Sequence, residues 1–192
     1  MVFNLKIMAL AALIPMVIGF IYYHPKLMGG VWMRVNGLTE EKLKSGNFVV
    51  ILLVSLLLSF MMSTAINGLV IHQNHILSTL MNYRADLMNP NSDLAKYVAD
   101  FMAKYGREFR TFKHGAFHGL LFSIFFVLPL IGTAALFERR GAKYIFINWG
   151  YWAITITLMG GVIWLLTGNS RWYLLGIIYL VLTFLAFPAA RE

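Results

Sequence analysis

The sequence predicts an all-α protein: a polytopic transmembrane helical bundle of five spans, or four if the last run does not cross, with an amphipathic helix in the long connection. Three observations predict it. The 192 residues are 59% hydrophobic and only 12% charged. That is about half the charged share of a soluble domain, so one core of this size cannot hide the apolar surface and lipid must solvate much of it. The apolar residues gather into runs near the length of about 20 residues that spans a bilayer. Trp and Tyr cluster at the ends of those runs, where amphipathic rings settle at the membrane–water interface.

The first run covers 7–23 and stops at Tyr22-Tyr23-His24-Pro25-Lys26. No small-x-small cleavage site follows it, so it reads as an uncleaved span rather than a signal peptide. Pro15 removes one helical hydrogen bond inside it. The second run, 48–71, carries Ser55, Ser59, Ser63 and Asn67 at four-residue spacing. Small residues at that interval let helices approach closely in lipid. Packing within the chain is expected ahead of homodimerisation.

The connection 72–113 reads as an extramembrane helical insertion. Asn89-Pro90-Asn91 marks a turn and Ser92 can cap a helix. Leu94, Tyr97, Val98, Phe101, Met102 and Tyr105 then form one apolar stripe at helical spacing. A helix packed on the bundle's own end is expected ahead of one lying on a membrane or a partner. The third run, 116–137, begins beside Gly115 and Gly119, a second close-packing pair. Pro129 should kink it near Phe125. The fourth run, 144–167, and the shorter fifth, 172–187, are separated by four residues, which suits a tight helical hairpin. The whole chain, 1–192, reads as one domain.

Composition excludes several function classes. The chain has no cysteine, which removes disulfides, iron–sulfur clusters, thiolate zinc sites and a cysteine nucleophile. The net charge is +8, but the basic residues lie in the connections, facing anionic headgroups. No arginine-rich motif interleaves with stacking aromatics, so nucleic acid is not an expected partner. The expected partners are membrane lipids, with a homodimer or a larger membrane complex as further assembly, and the expected location is a bacterial cytoplasmic membrane. The basic residues divide evenly between the two sides and leave the orientation open.

No phosphate loop, nucleophile elbow or paired His-Glu zinc helix is present. No Asp, Glu, Lys or Arg sits mid-span, where such groups mark ion pathways. No catalytic residue is therefore assigned, no cofactor is strongly implied, and an enzyme is not expected. Two polar clusters remain, at opposite membrane faces. One joins Trp32 and Arg34 to Glu138, Arg139 and Asn148, a candidate binding surface in which Glu138 should pair with Arg34 or Arg139. The other holds His72 and His75 at the end of the second run and His114 and His118 at the start of the third. Spacings of three and four put each pair on one helical face. Separate interfacial imidazoles are the first expectation. Convergence would make a metal site, since neutral imidazole suits zinc, copper, iron or nickel.

Several short motifs resemble an uncharacterised bacterial family of small membrane proteins, a domain of unknown function. Tyr23-His24-Pro25, Gly30-Val31-Trp32-Met33-Arg34 and Gly37-Leu38-Thr39-Glu40-Glu41 resemble its opening. His114-Gly115-Ala116-Phe117-His118-Gly119, Leu136-Phe137-Glu138-Arg139-Arg140, Asn148-x-Gly150-Tyr151-Trp152 and Met159-Gly160 are similar to its second half. Members are typically shorter, with four spans, and this chain departs from them by the 72–110 insertion and the fifth run. The resemblance implies no activity. It implies that the tryptophan-arginine and glutamate-arginine stretches form the family's common surface.

Three functional expectations follow in order. The first is a structural or accessory membrane subunit. The second is a lipid or small-molecule binding protein or facilitator, with a cavity lined by Asn67, Thr155 and Thr157. The third is a histidine-liganded metal or haem membrane protein.

Overall fold

A computed structural model describes residues 4–168. Among these, every regular element is helical. The first apolar rod is two helices, α1 (Leu5–Ala11) and α2 (Ile14–Tyr22). The Asn4 side chain caps α1 by accepting the Lys6 and Ile7 amides. The rod breaks just before Pro15, which falls in the first turn of α2, where its missing N–H leaves nothing unpaired. A wide turn, Pro25–Gly29, leads into α3 (Gly30–Asn36) and α4 (Glu40–Lys44). Asn47 then caps α5 (Phe48–Val70).

The connection folds as α6 (Gln73–Thr79), a single 3-10 turn, α7 (Arg84–Met88) and α8 (Asp93–Tyr105). Ser92 caps α8 by accepting the Ala95 amide. The chain then enters α9 (Phe112–Phe122), capped by Thr111. A π turn, Ser123–Val127, joins α9 to α10 (Leu128–Phe137). This turn is the distortion that Pro129 imposes one turn upstream of itself. The Ser123 carbonyl accepts the Trp149 indole N–H at 2.9 Å. The last described helix is α11 (Ala142–Gly168).

Among the described residues four helical rods are long and apolar enough to cross a membrane: Leu5–Tyr22, Phe48–Val70, Phe112–Phe137 and Ala142–Thr167. The expected fifth run, 172–187, lies outside the described residues. Only 17% of the most apolar stretch of Phe48–Val70 and 11% of that of Phe112–Phe137 is buried within the chain. These rods turn Val, Leu and Phe outward, a surface that water would penalise at about 25 cal/mol per Å².

The core is built on α11. Ile156, Met159, Ile163 and Trp164 meet Ile66 and Val70 of α5 and Ile7, Leu10 and Ile14 of the first rod. The small-residue stripe of α5 faces inward, with Ser59, Ser63 and Asn67 buried. The Ser63 hydroxyl donates to the Met8 carbonyl at 3.0 Å, so the stripe packs α5 onto α1 within one chain. The closest approach joins α9 to α11. A Cβ on Gly115 would collide with the Gly160 carbonyl, and one on Gly119 with the Ile156 carbonyl. In α8, Val98 is buried but Tyr97 remains 67% exposed, and the helix packs chiefly on α7. Only its C-terminal end closes over the bundle, where Phe101 and Tyr105 face His72 across a cavity.

Candidate metal centre

The repeat His114-Gly115-x-x-His118-Gly119 sets the first two functional side chains. The glycines face α11, and each histidine sits one residue, about 100°, around the helix from its glycine. Both rings therefore flank the α9–α11 seam on adjacent turns. The third side chain depends on a backbone break. Ile71 is extended (φ −98°, ψ 91°), so α5 ends there and the chain swings His72 toward the start of α9.

The result is a triangle of imidazole nitrogens. His72 Nε2 lies 3.0 Å from His114 Nε2 and 3.1 Å from His118 Nε2, and the last two are 3.1 Å apart. Each nitrogen carries either one N–H or one lone pair. Among three such atoms two must be alike, so every tautomer assignment leaves a repulsive pair in contact. Protonation would instead place like charges side by side. A cation receiving all three lone pairs removes the conflict.

The dimensions suit a metal ion. Sides of 3.0–3.1 Å put each nitrogen about 1.8 Å from the triangle's centre. The zinc–imidazole distance of about 2.0–2.1 Å exceeds that by only a few tenths of an ångström, so these three nitrogens would reach one ion together. Widening each side by roughly 0.3 Å makes the three ligands tetrahedral. The three residues form one potential ligand group among the described residues, with no carboxylate or thiolate in it. Three imidazoles leave a coordination position open, the arrangement of catalytic rather than structural zinc. A bis-histidine haem does not fit, because no macrocycle can pass between nitrogens in mutual contact.

The surroundings hold the rings. Burial, then the neighbouring His114 and His75, lowers the pKa of His72 below the ordinary 6.5, which favours the neutral, metal-binding form. Phe109 stacks on His114, with ring centroids 5.1 Å apart at 23°. The fully buried Trp164 lies 6.3 Å from His72 and 6.1 Å from His114. Its indole N–H donates to the Phe109 carbonyl. Phe109 adopts φ 61°, a left-handed conformation that is unusual for a bulky residue. Arg110 donates to the Thr167 carbonyl at 3.2 Å and so ties this loop to the end of α11.

His75, expected with the other three, does not join them. Its ring lies 6.4 Å from that of His72, but its Nε2 is 3.1 Å from the Gly68 carbonyl and the residue is exposed. The break at Ile71 precedes both histidines and moves them from the end of α5 to the start of α6, where the His72 ring reaches α9 and the His75 ring turns back to Gly68.

The cluster at the other end is arranged differently from the expectation. Trp32 packs on Tyr23 at 4.8 Å, and Tyr23 on Tyr151 at 5.0 Å, while Arg34 is exposed. Glu138 pairs with Arg140 at 3.8 Å, not with Arg34 or Arg139. Arg139 takes the left-handed position (φ 56°) that closes α10, with the Arg139 and Arg140 amides returning to the Leu136 and Ala135 carbonyls. That turn carries Arg140 back toward Glu138. Asn148 donates to the Tyr144 carbonyl of its own helix at 2.8 Å, not to Glu138.

Residues 7–164 match the family described as a protein of unknown function, DUF1761. The chain belongs to this family. Comparison with curated proteins and with solved structures finds no match.

In this DUF1761 chain three residues of the centre carried no signal in the sequence. Phe109 looks like one more loop aromatic, because nothing in its identity announces a left-handed backbone. Trp164 reads as an interfacial ring, yet it is buried against two of the histidines. Gln73 is 7% exposed and its amide carbonyl has no partner. It sits in a polar stretch where burial is not legible.

Proposed function

We propose that the chain is an integral membrane protein that binds one transition-metal ion, zinc foremost, through the Nε2 atoms of His72, His114 and His118, with a coordination position left for a ligand. The convergence of three one-function nitrogens at 3.0–3.1 Å carries this reading. It favours a metal centre over an accessory subunit, whose support is the lack of catalytic motifs. Zinc held this way supplies a Lewis-acidic position at one end of the bundle, beside an apolar cavity. The chain's own residues do the rest. Gly115 and Gly119 lock the ligand helix to α11, Phe109 and Trp164 fix the rings, and the apolar rods hold the site at the edge of a bilayer whose lipids are the surrounding partner.

The reading is tested on the full chain purified in detergent. Elemental analysis after zinc loading and gel filtration should give one zinc per chain, with cobalt giving the intense visible bands of a low-coordinate nitrogen site. His118→Ala should lose the metal while His75→Ala keeps it. Substoichiometric zinc in the wild type, or equal zinc in His118→Ala, removes the reading.

A further inference from the structure

The motifs around Tyr23, Trp32 and Tyr151 meet at the end of the bundle opposite the histidines. Trp32 packs on Tyr23 at 4.8 Å and Tyr23 on Tyr151 at 5.0 Å. With Phe20 and Phe48 these rings line a cavity of about 750 Å³. The cavity starts at His24 and Phe48, where the apolar rods end, and runs to Pro15 and Ser55. The helical rise from Phe48 to Ser55 takes it roughly 10 Å into the apolar layer. Met16, Ile51 and Leu52 form its walls there. No Asp, Glu, Lys or Arg lines it.

The polar wall atoms nearest the interface are donors. The Lys26 amide donates to His24 Nδ1 at 3.2 Å, so Nε2 carries a hydrogen whether the ring is neutral or charged. The Trp32 indole nitrogen can only donate, and Tyr23 carries a phenolic O–H. Neither group has a hydrogen-bond partner among the described residues. Neither is sealed in the interior, unlike the partnerless Asn67 Nδ2, Gln73 Oε1, Arg110 Nε and Thr155 Oγ1. The Tyr151 hydroxyl, by contrast, is taken by the Pro15 carbonyl at 2.9 Å.

We propose that this cavity binds a neutral lipid with a flat, acceptor-bearing ring, the class of the alkylated quinones. The ring oxygens accept from Tyr23, His24 and Trp32, the ring lies among the aromatic side chains, and the tail runs along Met16, Ile51 and Leu52. The wall selects this head. A phospholipid phosphate would meet no charged side chain on it. A fatty alcohol brings a single hydroxyl to several donors, whereas a quinone brings two carbonyl oxygens on opposite edges of one plane. A flat ring also suits an aromatic lining. The assignment uses no residue of the metal centre and stands or falls apart from it.

The test is photolabelling of the full chain in detergent with an azidoquinone, mapped by mass spectrometry. Decylubiquinone and decylbenzene, the same tail without acceptors, serve as competitors. Label should fall within 15–32 and 48–55, and decylubiquinone should suppress it at a concentration at least about tenfold lower than decylbenzene. Tyr23→Phe and Trp32→Phe each keep a ring and remove one donor. Each should raise the decylubiquinone concentration for half-suppression about three- to tenfold, the worth of one hydrogen bond. Arg34→Ala, exposed and outside the wall, should leave it unchanged. Equal competition by decylbenzene or by phosphatidylglycerol, or half-suppression unchanged in both Phe variants, overturns the assignment and leaves a groove open to any acyl chain. Label spread over the outward faces of α5 and α10 overturns the site itself.

Discussion

His75 and His118 are the same residue type at the same end of the bundle, and what their rings touch separates them. His118 contacts two other imidazole nitrogens, whereas His75 meets the carbonyl of Gly68. His118→Ala should weaken zinc binding by on the order of a hundredfold or more, since even outer-shell partners of metal ligands are worth 10–100-fold. His75→Ala should change it by less than about threefold. Competition against a calibrated chelator reads both. Glu138 makes a contrasting case. Its contact with Arg140 is long and both side chains are about half exposed, a setting in which ion pairs contribute under about 1 kcal/mol. Glu138→Gln should leave the melting temperature in detergent within about a degree of wild type. A drop of several degrees would mean that the pair does more than its geometry shows. His72 gives a pH dependence. Its pKa is lowered in the folded chain, so the folded state resists protonation more than the unfolded state does. The associated stability is present above the ordinary imidazole value of 6.5 and is lost as the pH falls through the depressed one. Melting of the metal-free protein should decline from pH 7 to pH 5, and His72→Gln should flatten that decline.

At the scale of elements, the site is a by-product of how α9 meets α11. The glycines that permit contact are interleaved with the histidines, so packing and ligand placement cannot be separated. Gly119→Leu forces a side chain into the Ile156 backbone. It should cost about 1–3 kcal/mol of stability and also release zinc, measured as a lower melting temperature and lower metal content. Gly132 has open space around it, so Gly132→Ala should change neither. This coupling also explains what could be read from the sequence. The apolar runs, the proline distortion near Phe125 and the four-residue spacing of His114 and His118 follow from local periodicity. The placing of His72 against α9 does not, because it depends on the extended Ile71 that starts α6 in a new direction. The Arg140–Glu138 pair does not either, because it depends on a left-handed Arg139. Both are single backbone choices set by tertiary packing, which periodicity does not report.

For the whole molecule, four apolar rods place the ends of the chain's connections alternately. The α3–α4 connection and the Glu138–Gly141 loop fall at one end, and the histidine cluster with α6–α8 at the other. The chain has no cysteine, so single cysteines are clean reporters of sidedness. Lys44→Cys and Arg107→Cys should react with an impermeant maleimide from opposite sides of a sealed vesicle. Labelling of both from one side would break the four-rod topology. The account's central claim is the metal centre, and X-ray absorption at the zinc edge of the loaded full-length protein tests it most directly. The account predicts about three imidazole nitrogens at about 2.0–2.1 Å plus one further nitrogen or oxygen scatterer, with the imidazole signature reduced in His114→Ala. A zinc shell of water and carboxylate oxygens without imidazole, or the same shell in wild type and His114→Ala, would contradict it.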